Sequence, residues 1–237
     1  MIFRIRNGTT DNYWDKRIPF EPLWAEYKRI TKANAAIVLF ANNIFTIELA
    51  ASAKDLFKYK WVWVKSRPTL FIQCKVRPMV KHEDILIFSK GNAANRAKNN
   101  MTYNPQGIQE IKTIYKPNRK RFGGVYGKRP CHEKFNGLQK YTGYPSDVLC
   151  FNALNSAKRY HSTQKPVDLL EYLIRTYTNE GELVLDNCIG SGSTAVACVK
   201  TGRNFIGFET DAGYCEVARQ RVTEAQQKIK SDQQILF

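Results

Sequence analysis

The most constraining feature of the sequence is a glycine-containing loop between a short apolar stretch and a helical pattern. The apolar stretch that ends at Asp186 has the composition of a buried strand that finishes in a carboxylate. Gly190 and Gly192 follow, and residues 194–200 have the spacing of a helix. Glycine lets a backbone approach a ligand closely, and a helix N-terminus offers free N–H groups. The pattern predicts a ligand site at the carboxyl end of a parallel strand.

A second acid supports the same site. Glu209 ends the next predicted strand, 23 residues after Asp186, and an acid at that position suits the hydroxyls of a ribose. The unit is therefore typical of a nucleoside-cofactor site. Gly190-x-Gly192-x-x-Ala195 also fits the loose dinucleotide pattern, so NAD stays an alternative, as does a tight turn that binds nothing.

The flanking patterns predict an α/β fold. Apolar residues at helical spacing alternate with short β-rich runs on both sides of the middle of the chain, which favours a mostly parallel sheet with helices on both faces. The predicted helices cover residues 20–31, 44–53, 166–177, 194–200 and 211–228, and the predicted strands cover 36–40, 59–64, 84–88, 182–186 and 204–209.

Charge is concentrated in the middle of the chain. The whole sequence has 37 Lys and Arg against 21 Asp and Glu, a net charge of +16, which indicates a polyanionic partner, nucleic acid first and an anionic membrane second. Residues 90–160 carry 14 basic and three acidic side chains, a net charge of +11, interleaved with six tyrosines. Basic residues contact phosphates and aromatic rings stack on bases, so this region predicts a nucleic-acid surface.

Other classes are disfavoured. No apolar run approaches the roughly 18 residues of a membrane span, and the start has no apolar signal core, so we expect a cytoplasmic protein. The six cysteines form no Cys-x-x-Cys pair and the three histidines are scattered, so we expect no metal site.

A wider set of motifs carries a family resemblance. The block His161-Ser-Thr-Gln-Lys-Pro-Val167 precedes the loop described above, and Trp61-Val-Trp63, Lys65-Ser-Arg67 and His82-Glu-Asp-Ile-Leu86 precede it in turn. In these blocks and their order the chain resembles the beta group of DNA amino-methyltransferases. Members of that family methylate the exocyclic amine of adenine or cytosine with S-adenosylmethionine.

The resemblance implies a methyltransferase fold and a division into three regions. Residues 1–89 would be the catalytic half, 90–160 the basic target-recognition region and 161–237 the half that binds S-adenosylmethionine. The implied cofactor-binding residues are Asp186, Gly190, Ser191, Gly192, Ser193, Thr194, Glu209, Thr163, Gln164 and Lys165. Double-stranded DNA is the implied partner, and charge selects Lys116, Arg119, Lys120, Arg121, Lys128 and Arg129 as its contacts.

The catalytic motif departs from the family. The family has Asp-Pro-Pro-Tyr before a glycine; the acid accepts a hydrogen bond from the target amine and the ring stacks on the flipped base. Here Arg4, Ile5, Arg6 and Asn7 precede Gly8, so none of these groups is present. Losing one positioned group commonly lowers the rate by about 10²–10³-fold. We therefore expect a weak or inactive enzyme.

Two further expectations follow from the start of the chain. The strand that the family places before the motif has too few residues here, which predicts an exposed sheet edge or an uncovered core. The chain could also be a non-catalytic DNA-binding remnant, or a truncated or frameshifted methylase.

Adenine is favoured over cytosine as the ancestral target. The recognition sequence, a cognate restriction endonuclease and the oligomeric state stay open.

Overall fold

The computed structural model describes residues 2–3, 18–115, 139–154, 159–161 and 163–234. The helices described are α1 (Phe20–Ile30), α2 (Asn43–Ser52), α3 (Val167–Tyr177), α4 (Ser193–Thr201) and α5 (Ala212–Gln234). The strands described are β1 (Ile2–Phe3), β2 (Ala36–Ala41), β3 (Phe57–Thr69), β4 (Val80–Ser89), β5 (Gln109–Tyr115), β6 (Gln139–Thr142), β7 (Val148–Phe151), β8 (Leu183–Asp186) and β9 (Asn204–Gly207).

Seven strands form one sheet in the order β7-β3-β4-β2-β1-β8-β9. Only β4 runs against its neighbours in this sheet; the pairs β3–β7, β2–β1, β1–β8 and β8–β9 are parallel. The predicted α/β fold with a mostly parallel sheet is thus confirmed. Six strands point the same way, so their last residues lie along one side of the sheet, which we call the carboxyl edge.

Both faces of the sheet are covered. Successive side chains of a strand point to opposite faces, and β2 shows this directly: Ala36, Val38 and Phe40 belong to one apolar cluster, and Ile37 and Leu39 belong to the other. The first cluster packs against α3 and α4 and the second against α1 and α2. This division explains why β2 is buried along its whole length.

The first strand is short but present. Ile2 pairs with Ile37 of β2 and Leu185 of β8, and Phe3 pairs with Val38 and Asp186. The expectation that this strand would be missing and would leave an exposed edge is therefore wrong. Parallel pairing uses backbone groups alone, and two residues supply enough of them to join β2 to β8.

Contacts within the chain define two compact units. The larger comprises residues 1–104 and 147–237, and the smaller comprises residues 105–146. In the smaller unit β5 and β6 pair in antiparallel fashion. The functional division at 89 and 160 stays a prediction. In the part of the chain that the structure describes, no helix has both the length and the apolar character needed to cross a membrane.

The loop before α4 depends on one glycine. Gly192 has a φ of +79°, a left-handed conformation that side chains other than glycine rarely adopt. A Cβ at this position would also lie 2.8 Å from the Cβ of Ala218, in α5. Gly192 therefore serves two needs, the turn into α4 and the close approach of α5.

We predict that Gly192→Ala destabilises the fold by about 3 kcal/mol, because left-handed strain of about 1–2 kcal/mol adds to overpacking of about 1–3 kcal/mol. Gly181→Ala is the matched control, since Gly181 has a φ of +76° but no neighbour within 4 Å of an added Cβ. That control is expected to lose only about 1 kcal/mol. Urea denaturation measures both values, and equal losses would contradict the proposed clash with α5.

Candidate active site at the carboxyl edge

A cleft opens at the carboxyl edge of the larger unit. The cleft is open on one side and, counted together with the solvent at its mouth, contains about 320 Å³ of space. Its lining comes from the end of β2, the segment before α3, α3 itself, the end of β8, the following loop and the start of α4. The lining residues are Phe40, Gln164, Lys165, Leu170, Asp186, Ile189, Ser191, Ser193 and Thr194. Six of them are predicted cofactor-binding residues, which the fold brings together from two segments about twenty residues apart in the sequence.

Asp186 fastens the loop to the helix that follows it. Its side chain is buried, and its Oδ2 accepts a hydrogen bond from the Thr194 hydroxyl at 2.6 Å. Its Oδ1 accepts one from the backbone N–H of Cys188 at 3.0 Å. A buried carboxylate needs such donors. Asp186 therefore fixes the shape of the loop as well as lining the cleft.

Glu209 holds the outer side of the same loop. Its carboxylate accepts hydrogen bonds from the backbone N–H of Gly190 at 3.0 Å, of Thr210 at 2.8 Å and of Asp211 at 3.1 Å. These contacts fix a half-buried acid two residues beyond β9 and beside the glycine loop. That is the position which the sequence predicts for a contact to a ribose.

An arginine that the sequence did not predict supports the start of α4. Arg221 of α5 donates hydrogen bonds to the backbone oxygen of Ser191 and to the hydroxyls of Ser191 and Ser193, the last two at 3.2 and 3.3 Å. Its guanidinium also lies 5.0 Å from the centre of the Tyr160 ring. Gln164 joins the same network, since its Oε1 accepts hydrogen bonds from the Ser191 hydroxyl and the Tyr160 N–H.

Thr163 is placed differently from its neighbours in sequence. Its backbone N–H and its hydroxyl both lie close to Nδ1 of His161, at 3.2 and 3.1 Å. It is not among the residues that line the cleft. The structure therefore groups Gln164 and Lys165 with the glycine loop but gives Thr163 a local contact.

Three charged side chains form an ion-pair cluster at the edge of the cleft. The two oxygens of Glu83 contact the ammonium groups of Lys65 at 2.6 Å and Lys165 at 2.5 Å, and all three side chains are largely buried. The Lys165 ammonium also lies 5.0 Å from the centre of the Phe40 ring, and the Lys65 ammonium lies 5.5 Å from that of Trp63. Burial alone would raise the pKa of Glu83, but the two ammonium groups together outweigh it and hold the pKa at about 2.

Strand pairing produces this cluster. Glu83 lies opposite Trp63 in the β3–β4 ladder, and Lys65 follows Trp63 on the same face. The motifs around Lys65 and Glu83 are visible in the sequence, but their contact depends on the antiparallel register, which the sequence does not show. Lys165 reaches them from the segment before α3.

Several predicted residues lie outside the described ranges. β1 ends at Phe3, in register with Asp186, and Arg4, Ile5, Arg6 and Asn7 come next in the sequence, outside the described residues. The candidate DNA contacts Lys116, Arg119, Lys120, Arg121, Lys128 and Arg129 also lie outside them. Among the described residues, no group of three or more His, Cys, Asp or Glu could hold a metal ion.

The sheet order and the position of the cleft define an α/β fold of the methyltransferase type. Solved structures with this fold include the M1.HpyAVI–SAM complex, 21% identical with a TM-score of 0.56 over 93% of this chain and 86% of that one. They also include the PvuII cytosine-N4-specific DNA methyltransferase, 14% identical with a TM-score of 0.60 over 97% and 84%. At these identities the likeness concerns the fold.

The sequence also matches a family profile for N6/N4 methyltransferases, described as DNA methylase, over residues 5–220. The chain belongs to this DNA methylase family. Similar curated proteins include the type II methyltransferases M.HpaI of Haemophilus parainfluenzae, 27% identical over 91% of this chain and 63% of that protein, and M1.MboII of Moraxella bovis, 48% identical over 27% and 24%. The chain spans between about a quarter and two thirds of the length of the curated relatives named here.

We predict that Glu83→Gln lowers the free energy of unfolding at pH 7 by about 3–5 kcal/mol, because two largely buried ammonium groups lose their counter-charge. The folded pKa of Glu83 lies below its ordinary 4.5, so the carboxylate stabilises the fold above pH 4.5. That contribution disappears as the pH falls from about 4.5 towards about 2. Urea denaturation of wild type and of Glu83→Gln at several pH values in this range measures their unfolding free energies. The difference between the two is expected to shrink as the pH falls.

Asp55→Asn is the control for this prediction. Asp55 makes an ion pair with Lys28 at 2.9 Å, but both side chains are about half exposed or more, so its loss is expected to change stability by less than about 1 kcal/mol. A difference between wild type and Glu83→Gln that stays constant over the whole pH range would contradict the ion-pair explanation.

Proposed function

We propose that this chain is built as a DNA amino-methyltransferase that binds S-adenosylmethionine in the cleft at the carboxyl edge, and that it is weak or inactive as a catalyst. The observation that carries the proposal is that one glycine loop joins Asp186, the last residue of β8, to Glu209, which lies two residues beyond β9. Asp186 lines the cleft and binds the start of α4, and Glu209 binds the N–H of Gly190 in the same loop, so one acid holds each end of the loop. Membership of the DNA methylase family supports the choice of substrate.

The side chains of the cleft suit this cofactor. Glu209 would hold the ribose hydroxyls, and the backbone around Gly190 would follow the nucleoside. Gln164 and Lys165 would face the methionine end, beside the apolar wall of Phe40 and Leu170. When bound, S-adenosylmethionine supplies an electrophilic methyl group. The chain's own part is to orient the nucleoside and to exclude water from the apolar wall.

The electrostatics of the loop disfavour a dinucleotide. A pyrophosphate needs a helix N-terminus that is open to negative charge. Here the buried carboxylate of Asp186 already binds the first turn of α4 through Thr194 and would repel a second anion. The NAD alternative also gives no reason for the basic region at 90–160.

The weakness of catalysis is proposed from the motif position. In the sequence, Arg4 and Arg6 stand at the motif where the family has its acidic hydrogen-bond acceptor. The motif therefore has two cations and no acid. A cation there would oppose the positive charge that develops as the amine accepts a methyl group. A non-catalytic DNA-binding protein is the second candidate for the same reason.

The proposal also includes adenine as the target base and double-stranded DNA as the partner. It includes a cognate restriction endonuclease, which the type II relatives suggest.

Cofactor binding can be tested without any activity. We predict that S-adenosylmethionine binds the wild-type chain in isothermal titration calorimetry and that Glu209→Ala weakens this binding about tenfold or more, because hydrogen bonds to a charged group are lost. Glu216→Ala, which removes an exposed acid of α5, is expected to bind like wild type. Binding of NAD in place of S-adenosylmethionine would contradict the proposal.

Methyl transfer tests the catalytic part. We predict that transfer of a labelled methyl group from S-adenosylmethionine to mixed-sequence duplex DNA is weak or absent with the chain as it stands. A variant with Arg4→Asp, Ile5→Pro, Arg6→Pro and Asn7→Tyr together is expected to gain transfer by at least about a hundredfold. Adding Glu209→Ala to that variant should remove the gain, and identification of the methylated nucleoside distinguishes adenine from cytosine.

Equal transfer by the original and the repaired chain would overturn the proposed loss of catalysis, since another group would then have to activate the amine. No transfer by either chain, together with normal cofactor binding, would favour the DNA-binding candidate.

A further inference from the structure

The end of β3, the start of β4 and the segment between them carry an unusual surface. We call residues 66–81 the β3–β4 arm; residues 66–79 are all exposed. Three of its apolar side chains are strongly exposed, Phe71 by 76%, Ile72 by 92% and Val76 by 85%. Contiguous exposed apolar residues of this kind mark interaction sites.

The arm has a defined backbone structure. The Thr69 hydroxyl donates to the backbone oxygen of Val80 at 3.2 Å and closes its base. At its tip the N–H of Gln73 donates to the oxygen of Leu70, and the N–H of Cys74 donates to that of Phe71, both at 3.0 Å. These bonds form a single turn of 3₁₀ helix that holds Phe71 and Ile72 towards solvent.

The arm leaves the sheet beside the cleft. β3 runs parallel to β2 and β8 because β4, which separates it from β2, is antiparallel to both β2 and β3. The arm therefore begins at the carboxyl edge. Lys65, the residue before it, binds Glu83, and Glu83 binds Lys165 in the lining of the cleft.

The arm is positively charged as well as apolar. It contains Arg67, Lys75, Arg77 and Lys81, and no Asp or Glu between residues 66 and 81. Its partner must offer both negative charge and an apolar contact surface. Duplex DNA offers both, phosphates on the outside and stacked bases between them.

We propose that the β3–β4 arm is a DNA-contacting surface, in addition to the contacts that the sequence predicts at residues 116–129. The four basic side chains contact phosphates, and Phe71 and Ile72 contact the base steps beside the nucleotide that carries the target amine. Apolar side chains of this type insert between bases and unstack them. An extruded base leaves a gap in the stack, and Phe71 and Ile72 have the size and apolar character to fill it. This inference rests on the proposed function, because it requires the chain to bind DNA.

Two other occupants fit less well. A second copy of the chain would bring another protein of net charge +16 against four cationic side chains. An anionic membrane would match the charge and the apolar tip, but it gives no reason for the arm to stand beside the cleft.

Binding to a mixed-sequence duplex, measured by fluorescence anisotropy over a series of salt concentrations, tests the arm. A second duplex carries one abasic site and so has a ready-made gap in its stack. We expect wild type to bind the abasic duplex about tenfold more tightly than the intact one, and we expect Phe71→Ala with Ile72→Ala to lose that preference. Log affinity falls as log salt concentration rises, and each phosphate contact makes this fall steeper by roughly 0.9. Lys75→Gln with Arg77→Gln should therefore make the slope less steep by about 2.

Matched controls come from elsewhere in the chain. Ile44→Ala with Ile47→Ala removes two apolar side chains of α2 that are 65% and 64% exposed, and Lys228→Gln with Lys230→Gln removes two charges from α5. Both are expected to keep the preference for the abasic duplex, and both are expected to keep the salt slope of wild type. Unchanged melting temperatures would show that all four variants fold.

Each contrary outcome is distinct. Wild-type DNA binding with arm variants that match their controls would overturn the proposal and leave the proposed function standing. No DNA binding by wild type would overturn both. The proposal would also fail if the Phe71 and Ile72 substitutions turned a dimer into a monomer in sedimentation without changing DNA affinity. Tight binding of wild type to phosphatidylserine vesicles that duplex DNA does not compete away would likewise overturn it.

Discussion

The direction of the strands is the constraint on which the site depends. Six strands end along one edge, and β4 alone starts there. The ends of β2 and β8 therefore bring Phe40 and Asp186 to the cleft, while the beginning of β4 brings Glu83. A fully parallel sheet would place the first residues of that strand at the opposite side, far from Lys165. The single reversed strand is what lets an acid from the first half of the chain meet a lysine from the second.

Ion pairs from Glu83 to Lys65 and Lys165 connect the first half of the chain to the second. Removing charged groups from water costs desolvation free energy, and the attraction between the charges offsets this cost only when the geometry is good. Both carboxylate oxygens are engaged, one by each lysine. The position of Lys165 in the cleft is thereby linked to the register of β3 and β4, and a change in the first half of the chain can alter the half that is proposed to hold the cofactor.

The sequence predicts the features that depend on local order along the chain. The glycine loop, the acid that ends β8 and the helix after the loop follow from spacing and residue type and occur where predicted. The next strand was predicted to end at Glu209, but β9 ends two residues earlier, at Gly207. Features that depend on the pairing of distant strands were missed, such as the contact of Lys65 with Glu83 or the joining of β2 to β8 by Ile2 and Phe3. Arg221 was missed as well, because one basic residue on a long polar helix gives no sign of which carbonyl group it will reach.

The position of β1 between β2 and β8 has a consequence for folding during synthesis. One neighbour of this strand, β2, is synthesised soon after it, but the other, β8, is synthesised only about 180 residues after β1. Any part of the sheet that forms before β8 is made leaves one side of β1 unpaired. Such unpaired strands attract other chains. Slow translation between the two halves should therefore favour aggregation, and chaperone protection should matter most in that interval.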